Sequence, residues 1–302
     1  MRSGPAVWML LLFLFEMTAA SAQMTRERFL GAASQAEDLK FPTAPSRFSS
    51  FSSAAMALYK PEGPGPFPAL VLHHPCGGLG NPRSPNTSML NWTREALSRG
   101  YVVLLIDSLG PRNVDTVCMG PRGGVNLMRG AKDALQAAEH LRELEYVDKS
   151  RIAFAGFSWG AMVGVAVSSK QWETTLGRSD TFAAVVSFYP GCYTLTPADG
   201  RNYEIVNADI YRPLLVLLGG KDTETPAAEC VSKLEKARHA GAPVEWHVYP
   251  GATHCWDCEH RHGFSKIDQR GNSVVYYYDK TATQDSARRM FDFLQKNLAA
   301  RP

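Results

Sequence analysis

Short apolar runs alternate along the chain with longer segments in which apolar residues recur every three or four positions. Most of the short runs are apolar on both faces, as the buried strands of a parallel sheet are. They predict β-strands over residues 67–74, 101–107, 151–156, 183–189, 214–219 and 244–249. The longer segments predict helices over residues 88–99, 125–145, 160–170, 226–240 and 281–298. This alternation is typical of an α/β fold with a mostly parallel central sheet and helices on both faces.

The start of the chain has the pattern of a signal peptide. Arg2 precedes an apolar run over residues 6–15, and Ala20, Ser21 and Ala22 provide the small residues of a cleavage site. The run is shorter than the roughly 20 residues that span a bilayer. We therefore expect cleavage after Ala22 and export to a periplasm or to the medium, with an uncleaved anchor as the alternative. The expected organisation is a signal peptide (1–22), an extended lead-in (23–50) and one domain (51–302).

The composition is that of an ordinary globular protein, with 45% hydrophobic and 20% charged residues in a chain of 302. The net charge is only +3, and no block of like charges occurs. No large electrostatic field therefore favours nucleic acid or an acidic membrane as a partner. The expected partner is a small molecule that is uncharged or singly charged.

A candidate nucleophile lies where the third predicted strand meets the next helix. The sequence at this point is Gly156-Phe157-Ser158-Trp159-Gly160. A nucleophile elbow needs a sharp strand-to-helix turn that lifts a serine above the sheet, and glycines on either side let the backbone pass closely. We therefore predict Ser158 as a nucleophile. A glycine-rich turn with a serine cap is the alternative.

A serine hydroxyl needs a base and an acid that orients it, in the chain order Ser, Asp, His. Asp222 follows the predicted strand 214–219, and His254 follows the predicted strand 244–249. We predict that Asp222 fixes the tautomer of His254 and that His254 faces Ser158. Glu224 and Asp257 are rivals for the role of the acid, and a structural histidine is the alternative for His254.

Two backbone amides are needed to hold the oxyanion of the tetrahedral intermediate. The residue after the nucleophile, Trp159, is predicted to supply one. The other is expected from the loop after the first predicted strand, where Pro75 has no N–H and Cys76 follows it. The predicted oxyanion hole is therefore formed by the amides of Cys76 and Trp159.

These motifs together resemble the dienelactone hydrolase family of the α/β-hydrolase superfamily. They are HHPCGGLG (73–80), DSLGPR (107–112), GFSWG (156–160), SFYPGC (187–192), GGKDTETP (219–226) and GATHCWD (251–257). The likeness runs from about residue 54 to residue 298 in the family's order. It implies the α/β-hydrolase fold with Ser158, Asp222 and His254 as a catalytic triad, and a mechanism that needs no cofactor.

Two positions depart from the family's pattern. The namesake enzymes use a cysteine nucleophile where this chain has Ser158, and the usual His-Gly of the oxyanion loop is His74-Pro75 here. The serine favours a broader carboxylic-ester hydrolase over a strict dienelactone hydrolase. The predicted function is therefore hydrolysis of carboxylic esters or lactones. An acyl-peptide hydrolase or acyltransferase on the same triad, and a non-catalytic or zinc-binding exported protein, are the alternatives.

An even number of cysteines in an exported chain is usually paired. Cys76 and Cys118 both fall in loops at the predicted carboxyl edge of the sheet, and Cys192 and Cys230 form a second candidate pair. Elimination leaves Cys255 with Cys258. The alternative is a zinc site, because Cys255, Cys258, His260 and His262 have the spacing of zinc ligands. Export favours the disulfides, so no metal is expected.

Substrate contacts are predicted from position and from the resemblance. Trp159 and Trp256 each adjoin a triad residue and are expected to form flat pocket walls. Arg112 is a candidate partner for a substrate carboxylate, with a surface salt bridge as the alternative. The tyrosines at 276–278 either line the pocket or belong to a strand, and His73 and His74 are expected to be structural.

Overall fold

A seven-stranded sheet forms the centre of the computed structural model, which describes residues 36–172, 182–195 and 203–299. The predicted signal peptide and the first part of the lead-in lie outside the described residues. The strands of this sheet are β1 (Ala57–Tyr59), β2 (Phe67–His73), β3 (Val102–Ile106), β4 (Val147–Phe157), β5 (Ala184–Phe188), β6 (Leu214–Gly219) and β7 (Val244–Tyr249). Their spatial order is β1-β3-β2-β4-β5-β6-β7, and only the β1–β3 pair is antiparallel. The predicted mostly parallel sheet is confirmed.

Helices cover both faces of the sheet. In the described ranges they are α1 (Thr87–Ser98), α2 (Leu127–Glu143), α3 (Trp159–Val167), α4 (Ala227–His239) and α5 (Lys280–Leu298). Apolar residues of α2, α3 and α4 pack into one core, and those of α1 and α5 pack into a second core on the other face. The predicted helical stripe of α2 faces the first core, where Leu135, Ala138 and Leu141 are fully buried.

Several short elements lie outside the central sheet and its helices. They are the 3₁₀ turns Gly110–Arg112 and Glu259–Arg261, the ladders of Gly80–Asn81 with Ser84–Pro85 and of Thr194–Leu195 with Tyr203–Glu204, and a hairpin of β8 (Ser265–Ile267) and β9 (Ser273–Val275). The hairpin matters for the site, because it carries Lys266 and leads into Tyr276. No helix in the described ranges has both the length and the apolar character that crossing a bilayer requires.

Two strands of the central sheet differ from the prediction. The short edge strand β1 was not predicted, because three residues do not show a period. Strand β4 begins at Val147 rather than at residue 151, since Val147 pairs with Phe67 before a bulge interrupts the β2–β4 ladder. Both differences lie away from the carboxyl edge of the sheet, where the candidate site is found.

Candidate active site

Ser158 occupies a strained turn between β4 and α3, with φ 52° and ψ −111°. Its amide donates to the Phe188 carbonyl at 2.9 Å, which fixes the turn against β5. A Cβ atom on Gly156 would lie 2.1 Å from the Gly160 carbonyl oxygen, and a Cβ atom on Gly160 would lie 2.5 Å from the His73 carbonyl oxygen. Both glycines are therefore required by close backbone contact, as the elbow pattern predicts.

His254 lies between Ser158 and Asp222. Its Nε2 atom is 2.9 Å from Ser158 Oγ, and its Nδ1 atom is 2.7 Å from Asp222 Oδ2. Because Nδ1–H donates to the carboxylate, Nε2 is free to accept the serine proton. All three residues are buried, although each follows the carboxyl end of a different strand.

The Asp222 carboxylate is held by hydrogen bonds from its own loop. Its Oδ1 atom accepts from the amides of Glu224 at 2.9 Å and Thr225 at 2.8 Å, and the Thr225 hydroxyl donates to Oδ2 at 2.8 Å. Burial alone would lower the pKa of His254, but the carboxylates of Asp222 and Glu224 outweigh it and raise that pKa above its usual value. The imidazole is thus set to take up a proton.

The two rival carboxylates have other partners. Asp257 accepts from Trp92 Nε1 at 2.8 Å and from the Tyr189 hydroxyl at 2.7 Å, and burial raises its pKa. Glu224 lies on the opposite side of the imidazole from Asp222, with Oε2 3.9 Å from His254 Nε2. Asp222 is therefore the carboxylate that orients His254 through Nδ1.

Of the two predicted oxyanion donors, Trp159 directly follows Ser158 in the chain, and Cys76 shares the walls of two cavities with Ser158. Trp159 is the first residue of α3, so its amide has no acceptor within the helix. Cys76 lines both of the cavities that reach Ser158. Its carbonyl is already occupied, since it accepts from the Val117 amide at 2.9 Å, and this bond fixes the loop.

His73 and His74 are buried supports of the oxyanion loop. His74 Nδ1–H donates to the Pro75 carbonyl at 2.7 Å, and Nε2 accepts from the Ser108 amide at 2.9 Å. Burial lowers the pKa of both histidines, so each is neutral. The His74 ring also stacks on Trp159 with centroids 5.7 Å apart. Both are structural, as expected.

Three disulfides join the pairs expected from the sequence: Cys76 with Cys118, Cys192 with Cys230, and Cys255 with Cys258. The first ties the oxyanion loop to the segment after β3. The second ties the segment after β5 to α4, and the third closes the turn after His254. Since Cys255 and Cys258 are bonded to each other, their sulfurs are not free thiolates for the zinc site considered above.

Two predicted substrate contacts are corrected by the structure. Trp256 is fully buried and packs against Tyr189, with centroids 4.9 Å apart. Arg112 forms a two-pronged ion pair with Asp133, with N–O distances of 2.7 and 2.8 Å, and its side chain is 6% exposed. Neither side chain has a free face for a substrate, and the Arg112 pair is not a surface salt bridge either.

Two cavities meet at Ser158, and both contain Cys76 and Cys118 in their walls. The smaller has a volume of about 160 Å³ and includes Trp159, which fulfils the expected wall position for that residue. The larger has a volume of about 370 Å³ and includes His254 and Tyr276. Of the three neighbouring tyrosines, Tyr276 is thus the one that reaches the site.

A group around Glu224 was not recognised as a unit from the sequence. Tyr276 donates to Glu224 Oε2 at 2.7 Å, and Lys266 Nζ lies 2.7 Å from Oε1. These partners stand 52 and 42 positions away in the chain, so no spacing rule links them. One indication of this group was available in the sequence, because Glu224 stands two residues after Asp222 and so lies near the predicted acid.

Ser158 follows β4, Asp222 follows β6 and His254 follows β7. This is the chain order of the α/β-hydrolases, and the chain has the α/β-hydrolase fold. The profile of the dienelactone hydrolase family matches residues 54–298. The chain belongs to the dienelactone hydrolase family, as its motifs indicated.

Relatives and solved structures agree with this placement. A Yersinia pestis protein provisionally named a carboxymethylenebutenolidase is 27% identical over 158 residues, which are 51% of each chain. The match spans about half the length of that curated relative. A Klebsiella pneumoniae structure, provisionally named a dienelactone hydrolase, superposes with TM-score 0.60 at 18% identity, covering 80% of this chain and 93% of its own. A butyrate-bound esterase from Thermogutta terrifontis gives TM-score 0.57 at 15% identity, covering 82% and 91%. At these identities the superpositions show the fold.

Proposed function

We propose that the protein hydrolyses carboxylic esters or lactones through an acyl-enzyme on Ser158. The observation that carries the proposal is the hydrogen-bonded line from Ser158 Oγ through His254 to Asp222. His254 Nε2 takes the serine proton as Oγ attacks the acyl carbon, and Asp222 stabilises the imidazolium that forms. The amides of Trp159 and Cys76 hold the developing oxyanion.

The remaining steps release the alcohol and then restore the serine. The imidazolium gives its proton to the leaving-group oxygen as the bond from that oxygen to the acyl carbon breaks. Water then gives a proton to His254 and attacks the acyl carbon, the bond to Ser158 Oγ breaks, and Oγ recovers its proton. This sequence uses only groups of the chain and one water molecule.

Membership of the dienelactone hydrolase family supports this chemistry. Because Ser158 stands where the namesake enzymes have cysteine, we propose a carboxylic-ester hydrolase of broader scope. The test is steady-state hydrolysis of a short-chain aryl ester by the wild type and by Ser158→Ala. We expect turnover by the wild type and a fall of at least about 10³-fold in kcat for the variant. Equal rates for the two proteins would refute the proposal.

We also propose that the protein is exported. The signal-peptide pattern of residues 1–22 and the three disulfides support this location, since disulfides persist in oxidising compartments. The test is fractionation of producing cells with mass analysis of the N-terminus. We expect an extracytoplasmic chain that begins at Gln23, and a full-length chain in the cytosol would contradict the proposal.

A further inference from the structure

The two cavities at Ser158 differ in one respect that decides their roles. His254 contributes to the wall of the larger cavity, while the residues described for the smaller cavity do not include it. In the proposed reaction, His254 Nε2 gives its proton to the leaving-group oxygen as the bond from this oxygen to the acyl carbon breaks. The leaving group must therefore lie on the side of His254.

Both cavities reach Ser158, and the leaving group takes the one that His254 lines. The acyl group, whose carbonyl carbon is bonded to Ser158 Oγ, is then left with the other cavity. That cavity has a volume of about 160 Å³, and its wall combines apolar side chains such as Val117, Leu127 and Met162 with charged ones such as Glu224 and Arg270. A volume near ~150 Å³ accommodates a molecule the size of benzene. A short or compact acyl group fits this space.

The larger cavity differs mainly in size. Its volume is about 370 Å³, and polar side chains such as Asp115, His260 and Lys266 line it. At its mouth Met119 and Phe264 are 69% and 39% exposed. This side offers room to a bulkier alcohol.

Resting on the proposed function, we propose that the substrate class is an ester of a short acyl group with a larger alcohol. The smaller cavity holds the acyl group and the larger cavity holds the alcohol. Each cavity contains one methionine, Met162 and Met119, which provides a matched pair of variants.

The test compares esters that differ in acyl length and esters that differ in alcohol. We expect Met162→Ala to raise kcat/KM for an octanoyl ester relative to a butyryl ester by about tenfold, because truncation enlarges the acyl cavity. Met119→Ala should leave that ratio unchanged and alter the dependence on the alcohol. Leu127→Ala serves as a second enlargement of the smaller cavity if Met162→Ala does not fold.

The outcomes separate the two proposals. A shift of acyl preference by Met119→Ala, or no shift with folded Met162→Ala and Leu127→Ala, would overturn the cavity assignment while ester hydrolysis stands. A wild type that turns over none of the esters would instead refute the proposed function.

A second, independent observation concerns Glu224, whose carboxylate lies beside the imidazole on the side of the reacting atoms. Oε2 is 3.9 Å from His254 Nε2, and the Glu224 side chain is 14% exposed. The hydroxyl of Tyr276 and the ammonium of Lys266 hold this carboxylate in place, at 2.7 Å each. Glu224 also contributes to the wall of the smaller cavity beside Ser158.

We propose that Glu224 is a positioning residue, a second carboxylate that stabilises the imidazolium of His254 from the Nε2 side. Asp222 contacts Nδ1 through a hydrogen bond, whereas Glu224 acts through space on the nitrogen that carries the transferred proton. A negative charge at this distance favours the protonated imidazole in both halves of the reaction. The proposal deepens the proposed function and rests on it for its catalytic effect.

The environment of His254 makes the charge effect testable. The titratable and charged groups that face its ring are Asp222, Glu224, Lys266, Asp257, Tyr189 and Tyr276. Burial tends to raise the pKa of Glu224, but His254 and Lys266 outweigh burial and lower it, so the carboxylate is ionised at neutral pH. Removing Glu224 and removing Lys266 should therefore act on His254 in opposite directions.

The variants are Glu224→Gln, Lys266→Met and, as a matched control, Glu229→Gln. Glu229 pairs with Arg270 at 2.8 Å, so its loss removes an equal charge from a site that does not adjoin the imidazole. We expect the acid limb of the kcat/KM profile to move to lower pH in Glu224→Gln, to higher pH in Lys266→Met and not at all in Glu229→Gln. We also expect kcat of Glu224→Gln to fall about tenfold near neutral pH.

The same shifts should appear without turnover, in the NMR titration of the His254 ring in the Ser158→Ala background. An unmoved titration in folded Glu224→Gln would overturn the role of Glu224. Shifted titrations in a protein that hydrolyses no ester would refute the proposed function and retain the charge coupling.

Discussion

At the scale of single residues, the site depends on a backbone conformation that serine rarely adopts. The positive φ of Ser158 costs on the order of 1–3 kcal/mol of conformational free energy, and it persists because the packing of the surrounding backbone fixes it. Gly156 and Gly160 allow the backbone segments around Ser158 to pack this closely, since a Cβ atom on either would clash with a backbone carbonyl. Sequence reasoning could predict this turn because the requirement is local.

Gly160→Ala tests the steric requirement. Its Cβ atom would lie 2.5 and 2.6 Å from the carbonyl oxygens of His73 and His74, so the oxyanion loop must shift. We expect kcat to fall at least about 100-fold, because a displacement of 1 Å costs about that much. Gly251→Ala is the control, since nothing lies within 4 Å of its Cβ position. Esterase kinetics and a thermal melt of both variants check the prediction, and an active Gly160→Ala would contradict it.

The pH dependence belongs to the same scale. Burial tends to lower the pKa of His254, but the carboxylates of Asp222 and Glu224 raise it, and the proposed base works only when neutral. We expect wild-type kcat/KM to rise with pH through a midpoint above the usual histidine value of about 6.5. In Asp222→Asn the midpoint should move to lower pH and kcat should fall by about 10³- to 10⁴-fold. A pH–rate profile of each protein decides the matter, and an Asp222→Asn midpoint at or above the wild-type value would count against the assignment.

At the scale of elements, the disulfides fasten the loops that carry the site. Cys76–Cys118 and Cys192–Cys230 close loops of similar length, with sequence separations of 42 and 38. Of these two pairs, Cys76–Cys118 lies in the walls of the two cavities at Ser158, and Cys192–Cys230 lies in neither wall. Similar loop lengths imply similar contributions to stability, while their positions imply different effects on catalysis.

Replacing each pair by two serines tests this contrast. We expect each double variant to lose roughly 2–4 kcal/mol of the free energy of unfolding. Cys76→Ser with Cys118→Ser should also lower kcat, because the loop with the proposed Cys76 donor is released, and Cys192→Ser with Cys230→Ser should lower it less. Urea unfolding and kinetics on the folded fraction provide the two readouts. A larger kcat loss in the second double variant would contradict the expected role of the first loop.

Elements also show where sequence reasoning ends. The major strands and helices were predictable because each carries its own period and its own boundary signals. The direction that a side chain takes after a loop was not predictable from the sequence. Trp256 follows Cys255, whose φ of 57° turns the chain, and the indole packs in the core beside Tyr189 rather than in a cavity. The contact of Glu224 with Tyr276 depends on where the β8–β9 hairpin packs, and no local sequence pattern predicts that position.

At the scale of the whole molecule, a buried ion network fastens the lead-in to the domain. Asp133 on α2 accepts from Arg112 and from Arg129, at distances of 2.7–2.9 Å. Arg112 also donates to the Glu37 carbonyl, and Arg129 pairs with Asp38 at 2.9 Å. Arg112 was a candidate partner for a substrate carboxylate, with a surface salt bridge as the alternative, but its contacts in this network are buried and structural.

Asp133→Asn tests that correction. The change leaves two buried guanidinium groups without their shared carboxylate, and we expect it to cost about 3–5 kcal/mol of the free energy of unfolding. Asp292→Asn removes an exposed partner of Arg288 and should cost less than about 1 kcal/mol. Urea unfolding measures both variants. If Asp133→Asn lowered kcat per folded molecule and left the free energy of unfolding in urea unchanged, Arg112 would again be a candidate substrate contact.

Covalent labelling can show whether Ser158 is the nucleophile of a serine hydrolase, as we propose. The protein is treated with a fluorophosphonate, and the adduct is located by mass spectrometry of its peptides, with Ser158→Ala and heat-denatured wild type as controls. We predict one adduct per chain, on Ser158, that is absent from both controls. No adduct on the native protein, or equal labelling of Ser158→Ala, would contradict the account.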